Sequence, residues 1–467
     1  TRNYSRVYRI LHWLIAFSFI FLLITIFLRK TWMEKNHVAE IIQAFLADKG
    51  YPALPEDDAI LLAKKIRKPM WDWHIYLGYV LTGLYCIRLA VPFFGEMKFS
   101  SPFKAGLDTK TNGRLKFSQP EEVGVDPKKL EEIDQIVEKA IAEKAFPGCQ
   151  IVAAVDGKLF FRKNYGTHQY NNRKVENDDI YDIASITKVA ASTTALMKLQ
   201  SEGKFSLDKK LSEYLPDLTT GYPMGNLKLR EMMSHQAGLK AWIPFYKYTL
   251  VDGNLNPAWY VKSASGSGYN KVADHIYLKS QYADTIKKTI LSQPLGTKKY
   301  LYSDLGYYFV KDIIEQESGK KLNVFLYNEV YAKMGLHHTL FNPNGSVNPD
   351  KIAATEDDKI FRKQLIKGYV HDPGAAMIGG VGGHAGLFSN ATELAAIMQL
   401  FLNKGNYGGV QILDPKVVTE YTRVQFSGNR RGIVRLLHEG HDAVLVVHVG
   451  DYHYRESPCP PGMAGCA

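Results

Sequence analysis

The sequence predicts an α+β domain, an antiparallel sheet flanked by helices, preceded by two transmembrane helices. Three observations predict this architecture. Residues 10–28 and 75–94 are nearly all apolar, and at about 1.5 Å of rise per residue each run is long enough to cross a bilayer. Residues 130–141 carry apolar side chains at helical spacing. Residues 149–165 indicate two strands joined by an Asp-Gly turn, the pattern of a β-hairpin.

A chain of 467 residues is long enough for two or three domains. Changes in composition divide it into a two-span membrane segment (1–103), a linker (104–118), an α+β domain (119–433) and a tail of different character (434–467). The 58 basic and 47 acidic residues give a net charge of +11. The basic residues are scattered and form no stripe interleaved with aromatic residues, so we predict no nucleic-acid partner.

The segment that follows the predicted hairpin carries a candidate nucleophile with its own base. Ser185 and Lys188 are three residues apart at the start of a predicted helix, so their side chains share one face. A buried lysine loses its proton more easily than an exposed one, and an uncharged amine can then accept the proton of the hydroxyl. The pattern therefore predicts a serine activated for acyl transfer.

The spacing alone is weak evidence because it recurs in the chain. Only Ser185 follows a strand-like run and precedes apolar residues at helical spacing. The other matches lie in polar or Gly-containing and Pro-containing stretches that favour turns; they are Ser101/Lys104, Ser201/Lys204, Ser206/Lys209 and Ser318/Lys321.

Residues 119–433 resemble the penicillin-recognising serine hydrolases, the superfamily of serine β-lactamases, DD-peptidases and related esterases. Ser185-Ile186-Thr187-Lys188 is similar to the first motif of that family, which supplies the nucleophile and its general base. Tyr302-Ser303-Asp304 is similar to the second motif, usually Tyr-x-Asn. The segments 233–239 and 379–389 are also similar to parts of the family, and the four matches occur in the family's order.

The resemblance implies roles for further residues. Tyr302 would relay a proton to the leaving group. Asp304 stands where the family usually has Asn, and a carboxylate cannot donate a hydrogen bond to a substrate amide. It could instead pair with Lys188 and keep that amine charged. His384 and Gly383 lie in the Gly-rich segment and are candidates for the edge of the substrate site, with a purely structural turn as the alternative.

The third motif of the family, Lys/His-Thr/Ser-Gly, helps to bind a substrate carboxylate and is expected after residue 433. His438-Glu439-Gly440 has a carboxylate where a small hydroxyl is needed, so the motif is missing. The tail resembles the opening of a metallophosphoesterase, in which Asp451 would bridge two metals. The other ligands that such chemistry needs are lacking, and a hairpin turn is the alternative. The change near residue 433 indicates a fusion, a frameshift or an assembly artefact.

Residues 1–103 resemble the membrane-bound b-type cytochromes of bacteria. His12 and His74 stand in sequence contexts where that family keeps haem ligands, which implies haem b as a cofactor of this segment. Each His is at the N-terminal end of its own span, and two consecutive spans are antiparallel. The two side chains would therefore lie on opposite sides of the bilayer, and haem binding would need a further membrane subunit that supplies the missing ligands.

The location of the soluble domain follows from the charges beside the spans. The segment between the spans has more Lys and Arg than the segment before the first span, which places this loop in the cytoplasm and the soluble domain outside it. The cytochrome resemblance favours the opposite orientation. We predict a membrane protein with an extracytoplasmic, periplasmic hydrolase domain.

The predicted function is hydrolysis of an amide or ester, such as a β-lactam, a peptidoglycan peptide or a small ester, through an acyl-enzyme on Ser185. The backbone N–H of Ser185 would be one oxyanion donor, and this reaction needs no metal or cofactor. The alternatives are a membrane haem-binding electron-transfer subunit and a non-catalytic chimera.

Overall fold

The computed structural model describes residues 33–50, 52–66, 113–426 (apart from 171, 265 and 267) and the backbone of 443–449, with isolated positions between 14 and 81. The chain forms two compact units, Thr1–Ala105 and Gly106–Ala467. Within the described residues, no helix combines the length and the apolar character that crossing a bilayer requires. The predicted spans lie mostly outside the described residues and stay a prediction.

The described part of the first unit is a helical hairpin. Helix α1 covers Lys35–Asp48, and helix α2 covers residues 56–66. The side-chain amide of Gln43 donates to the carbonyl of Leu54 at 2.7 Å and accepts from its N–H at 3.1 Å, which closes the turn. The two helices bury a small cluster of Val38, Ala39, Ala59 and Ala63.

The second unit is built around a four-stranded sheet, which confirms the predicted α+β class. The strand order is β1-β3-β2-β16, where β1 is Lys116–Phe117, β2 is Gly148–Val155, β3 is Lys158–Gly166 and β16 is Ala443–Val449. The predicted hairpin is confirmed: β2 and β3 pair antiparallel across Asp156 (φ 50°) and Gly157 (φ 74°), the left-handed pair that a tight hairpin turn needs.

Two strands lie outside the predicted domain boundaries of 119 and 433. Strand β1 pairs parallel with β3, so the sheet begins inside the predicted linker. Strand β16 pairs antiparallel with β2 along its whole length, so part of the predicted tail completes the sheet.

Short strands make up smaller sheets elsewhere in the unit. They are β4 (Tyr181–Asp182), β5 (Leu250–Val251), β6 (Asn254–Leu255), β7 (Tyr260–Val261), β8 (Tyr269–Ala273), β9 (Ile276–Lys279), β10 (Leu340–Phe341), β11 (Ala354–Asp358), β12 (Gln364–Lys367), β13 (Leu387–Ser389), β14 (Asn406–Tyr407) and β15 (Val410–Gln411). Strand β13 pairs antiparallel with both β10 and β4, and β11 pairs antiparallel with β12.

Helices surround the sheets. They are α3 (Pro127–Ala142), α4 (Thr194–Ser201), α5 (Leu211–Tyr214), α6 (Pro216–Thr219), α7 (Leu229–Met233), α8 (Tyr282–Leu291), α9 (Leu305–Ser318), α10 (Leu322–Leu326), α11 (Ala332–Met334), α12 (Pro373–Met377), α13 (Ala391–Leu402) and α14 (Pro415–Thr422). Helix α3 contains the predicted helical run 130–141, and its first turn is capped by the carboxylate of Asp126.

The large apolar core lies around α4 and α9. Both helices bury most of their side chains, among them Leu196 and Met197 on α4 and Phe309, Ile313 and Ile314 on α9. The segment before α4 carries Ser185 and Lys188, and the segment before α9 carries Tyr302 and Asp304. Because both segments lead into helices of this rigid core, the core holds the two segments in fixed positions next to each other.

Candidate active site

Ser185 lies in a strained turn between β4 and the helical segment that leads into α4. Ala184, Ser185 and Ile186 form one 3₁₀ turn. Ala184 has a φ of 44°, a left-handed conformation that costs a residue with a Cβ roughly 1–2 kcal/mol. The carboxylate of Asp182 accepts a hydrogen bond from the Ala184 N–H at 2.7 Å, which holds the strained peptide in place. The hydroxyl of Ser185 is half-buried at the surface of the domain.

Lys188 begins a π-helical turn, Lys188–Thr193, directly after the turn that holds Ser185. Only 3% of the residue is exposed. Its Nζ lies 2.9 Å from Ser185 Oγ, 2.6 Å from Asp304 Oδ1 and 3.2 Å from the carbonyl oxygen of His384. An ammonium has three donors, and here three oxygens surround it. The arrangement therefore matches a charged Lys188 before reaction.

The other Ser-x-x-Lys pairs within the described residues make different contacts. Ser201 Oγ donates to the carbonyl of Met197, and Lys204 pairs with Glu202. Lys321 pairs with Glu315. The lysines of these two pairs bond to carboxylates, whereas Lys188 also contacts the hydroxyl of its own serine, and that contact distinguishes the Ser185–Lys188 pair.

Aromatic rings enclose the amine of Lys188. Its Nζ lies 4.9 Å from the ring centroid of Tyr302 and 5.7 Å from that of Tyr307, within the range of a cation–π interaction. The ring of Tyr302 in turn packs against the imidazole of His235 at 4.4 Å. His235 Nδ1 accepts a hydrogen bond from the Ser303 N–H at 3.2 Å, so His235 supports the segment that carries Tyr302.

Asp304 directly precedes α9, and its position is fixed by its own backbone. Its N–H donates to the carbonyl of Ala241 at 3.0 Å, and Ser303 Oγ donates to the carbonyl of Lys240 at 2.6 Å. The side chain is 18% exposed. The carboxylate forms the ion pair with Lys188 that the sequence suggested for an aspartate at this position. As a carboxylate it accepts hydrogen bonds and cannot donate one.

The structure places Gly383 and His384 behind the lysine. Gly383 is buried, and a Cβ at this position would lie 2.1 Å from the carbonyl oxygen of Tyr307, so only glycine fits there. Its own carbonyl accepts a hydrogen bond from Ser192 at 2.5 Å. The imidazole of His384 is also buried, and its Nε2 lies 2.8 Å from Asp372 Oδ1. The carbonyl of Gly383 and the imidazole of His384 therefore both make their hydrogen bonds inside the protein.

Two aspartates near Ser185 and Lys188, Asp182 and Asp372, have shifted pKa values. Burial raises the pKa of Asp182, and the N–H groups of His371 and Ala184 offset only part of that shift. Burial would also raise the pKa of Asp372, but His384 and the N–H of Ala375 outweigh it and lower this pKa to about 2. Asp372 therefore remains a carboxylate at every pH at which the protein is expected to act.

The residues that hold Ser185 and Lys188 in position could not be recognised in the sequence. Asp182 precedes the nucleophile by three residues, but a single acidic residue after a strand carries no distinctive signal. Asp372 and Arg362 lie in loops and contact residues near them in the chain, but both are far along the chain from Ser185 and Lys188. The Pro after Asp372 is a weak signal, because it marks the start of a helix that an aspartate would cap.

Some predicted residues lie outside the described part of the chain. These are His12 and His74, the candidate haem ligands, Asp451, the candidate metal ligand, and His438-Glu439-Gly440. Their roles stay predictions, and so does the metallophosphoesterase resemblance of the tail.

Among the described residues, one group of side chains has the spacing of metal ligands. The carboxylates of Glu176, Asp178 and Asp179 lie within 4.8 Å of one another. Lys351 Nζ contacts Glu176 at 2.6 Å and Asp178 at 2.7 Å, and Arg173 contacts Asp179 at 2.8 Å. Because these two cations already bond to the three carboxylates and offset most of their charge, we interpret the group as an ion-pair cluster.

Comparison with known proteins covers both units. Residues 133–451 match the family model described as Beta-lactamase, and residues 3–129 match the one described as Prokaryotic cytochrome b561. The second match confirms the resemblance of the N-terminal segment to membrane cytochromes. The first match extends beyond residue 433 and includes strand β16.

Individual relatives match over about two thirds of their length. The N-acetylmuramyl-L-alanine amidase of Bacillus subtilis (strain 168) is 33% identical over 322 residues, 63% of this chain and 68% of the relative. A protein of Escherichia coli (strain K12), named provisionally as a D-alanyl-D-alanine carboxypeptidase, is 31% identical over 63% of this chain and 69% of its own length. A solved structure of a class C β-lactamase from Rhodobacter sphaeroides is 18% identical, covers 62% of this chain and 69% of its own, and has a TM-score of 0.44. On the family match over residues 133–451 and the identities to the two relatives from Bacillus subtilis and Escherichia coli, the chain belongs to the β-lactamase-fold serine hydrolase family.

Proposed function

We propose that this protein hydrolyses an amide or ester through an acyl-enzyme on Ser185. The observation that supports the proposal is the 2.9 Å contact between Lys188 Nζ and Ser185 Oγ, at a lysine that is only 3% exposed. That distance is within reach of a direct proton transfer from the hydroxyl to an uncharged amine. Ser185 itself is half-buried, so part of this residue faces solvent.

Lys188 must lose its proton before it can act as a base, and Asp304 is the group placed to take it. Transfer of one proton across the 2.6 Å contact converts the ion pair into a neutral amine and a neutral carboxylic acid. In a poorly solvated pocket the neutral pair is less costly than in water. Lys188 then accepts the proton of Ser185 as its oxygen attacks the carbonyl carbon.

The remaining steps balance without an added cofactor. The Ser185 Oγ–C bond forms and the bond from carbon to the leaving nitrogen or oxygen breaks, while the proton from Oγ passes through Lys188 to the leaving atom. Tyr302, whose ring lies against the amine, would relay that proton. Water then attacks the acyl-enzyme, and its proton returns to Ser185 Oγ. The N–H of Ser185 would be one donor to the oxyanion.

Two observations support a substrate class for this proposal, the names of the relatives and the residue type of Asp304. The names of the relatives point to two peptidoglycan bonds, the amide of N-acetylmuramyl-L-alanine and the peptide bond of D-alanyl-D-alanine. The second substrate has a free carboxylate beside the scissile bond, for which the ion-paired carboxylate of Asp304 offers no hydrogen-bond donor, and residues 434–467 do not contain the family's carboxylate-binding motif. We therefore favour an internal amide of peptidoglycan over a terminal D-alanine.

Labelling with a fluorophosphonate probe tests the reaction. The full-length protein should be labelled, the Ser185→Ala variant should not, and Ser206→Ala, which removes the serine of another Ser-x-x-Lys pair, should be labelled like the wild type. Hydrolysis of N-acetylmuramyl-L-alanine peptides and of D-alanyl-D-alanine peptides, measured side by side, tests the substrate. An unlabelled wild type would contradict the proposed reaction. Faster release of D-alanine than of the muramyl product would contradict the proposed substrate.

The match of residues 3–129 to a cytochrome family favours a second function for the N-terminal unit, binding of haem b in a membrane. His12 and His74 would each hold a haem on its own side of the membrane, with the further ligands supplied by another membrane subunit. The haem would supply one-electron transfer. A visible absorption spectrum of the full chain, purified in detergent together with its membrane partner, should show a haem band that weakens in His12→Ala and in His74→Ala. A spectrum without that band, or one that neither substitution changes, would contradict haem binding by these residues.

An extracytoplasmic location of the hydrolase domain is also part of the proposal. Protease added to spheroplasts should then degrade this domain.

A further inference from the structure

We propose that residues 370–372, here called the linking segment, position both members of the Ser185–Lys188 pair. The inference rests on the proposed function, because positioning these side chains matters only if they react. It is carried by two separate sets of contacts, one to each catalytic side chain, that originate from adjacent residues of one loop.

The first set of contacts reaches the nucleophile. The N–H of His371 donates to Asp182 Oδ2 at 2.5 Å, while Asp182 Oδ1 accepts from the Ala184 N–H at 2.7 Å. One carboxylate therefore joins the linking segment to the peptide just before Ser185. Because Ala184 is in a left-handed conformation, its peptide would relax without such a bond. The orientation of the serine hydroxyl depends on that peptide.

The second set of contacts reaches the base. Asp372 Oδ1 lies 2.8 Å from His384 Nε2, and the carbonyl of the same histidine accepts from Lys188 Nζ at 3.2 Å. The imidazole stacks on Tyr308 with the ring centroids 4.2 Å apart and the planes 22° from parallel. Its Nδ1 has no hydrogen-bond partner within the described residues. The side chain is thus oriented through Nε2 and the stacking contact.

A buried arginine fixes the linking segment itself. Arg362, whose side chain is 0% exposed, donates to the carbonyl of Val370 at 2.7 Å and to that of His371 at 2.9 Å. Its charge is balanced by Asp358, at 2.9 Å, and by Glu356. The planar guanidinium makes all these bonds from one rigid group, which an amine could not do. The β11–β12 hairpin therefore holds the linking segment in one position.

The physical consequence is a fixed distance between nucleophile and base. The serine turn and the lysine are also held by their own helical segment, and the lysine by its contact with Asp304; the linking segment adds one route of contacts to each of them. A shift of about 1 Å in a reacting group can lower a rate on the order of 100-fold. His384 and Asp372 act through the carbonyl that receives the lysine, so they are positioning residues in this proposal.

The test compares two substitutions of His384. The Nε2 of glutamine can occupy nearly the same place as the imidazole Nε2, so His384→Gln keeps a donor to Asp372, whereas the shorter side chain of His384→Asn does not reach it. In the full-length protein we expect the maximal rate of fluorophosphonate acylation to fall at least about tenfold in His384→Asn and to stay within about threefold in His384→Gln. The probe concentration at half-maximal rate should not change in either variant.

A matched control comes from a second buried histidine–aspartate pair. His168 Nε2 lies 2.7 Å from Asp179 Oδ2, with both side chains buried. His168→Asn breaks this pair and should lower the melting temperature while leaving the acylation rate of the folded protein unchanged. This control separates a general loss of stability from a loss of positioning.

Crystal structures of the two His384 variants give a second readout that does not depend on activity. We expect the Lys188 Nζ to Ser185 Oγ distance to stay near 2.9 Å in His384→Gln and to exceed hydrogen-bonding distance in His384→Asn. An unchanged distance and an unchanged rate in His384→Asn would overturn the inference, as would an equal loss of rate in both variants. A wild type that is not labelled would overturn the proposed function instead, and the two distances would still decide the inference.

Discussion

The amine of Lys188 lies 2.6 Å from the carboxylate of Asp304, closer than its 2.9 Å contact with Ser185. The carboxylate favours the charged form of the amine, so the same contact that orients the base also opposes its activation. Activation then depends on a proton that can move between these two side chains.

Replacement of that acid should shift the pH dependence of the reaction. In Asp304→Asn the attraction that holds the proton on Lys188 is lost, while the amide oxygen can still accept its hydrogen bond. We expect the pH of half-maximal acylation to fall, measured from fluorophosphonate labelling rates across the pH range. Asp284→Asn, which neutralises an exposed carboxylate on α8, is the control. A midpoint pH that stays constant or rises would show that Asp304 does not hold the proton on the amine of Lys188.

The glycine before His384 should tolerate no side chain. In Gly383→Ala the new Cβ would meet the carbonyl oxygen of Tyr307 at 2.1 Å, and backbone cannot move aside without disturbing α9. We expect a loss of about 3 kcal/mol in the free energy of unfolding and a loss of labelling at 37 °C. Gly268→Ala, where the Cβ meets no atom within 4 Å, should change neither quantity. Equal stability of the two variants in denaturant titrations would contradict the packing described here.

The strained residue before the nucleophile offers a test of the serine turn. Glycine adopts a φ of 44° without steric cost, so Ala184→Gly should be as stable as the wild type or more stable by up to about 1 kcal/mol. Valine is β-branched and should lower both stability and acylation rate at this position. Thermal unfolding and labelling of the two variants check this. An Ala184→Val protein that reacts like the wild type would mean that the turn conformation is not needed.

The sequence allowed the hairpin and the Ser185–Lys188 pair to be predicted because their signals are local. An Asp-Gly turn between alternating residues and a three-residue spacing on a helix need no information from distant parts of the chain. The ion pair of Asp304 was also anticipated, because its residue type differs from the family pattern. The contacts of Asp182, His371 and Arg362 could not be predicted, since they join loops through single polar residues that no periodicity marks.

Asp372 should make the stability of the protein depend on pH in the acid range. Its pKa is about 2 in the folded protein and near 3.8 in the unfolded chain, so its stabilising effect is present above pH 3.8 and is lost as the pH falls toward 2. We expect Asp372→Asn to be less stable than the wild type by on the order of 2 kcal/mol at pH 6, with a smaller difference at pH 3. Urea unfolding at both values measures this. A difference that does not shrink at pH 3 would contradict the assigned charge.

The most direct test of the central claim, that Lys188 activates Ser185, is to locate and time the covalent label. After reaction of the full-length wild type with a fluorophosphonate, peptide mass spectrometry should find the adduct on Ser185, and Lys188→Ala should react at least about 100-fold more slowly while remaining folded. An adduct on a different residue, or labelling of Lys188→Ala at the wild-type rate, would contradict the account.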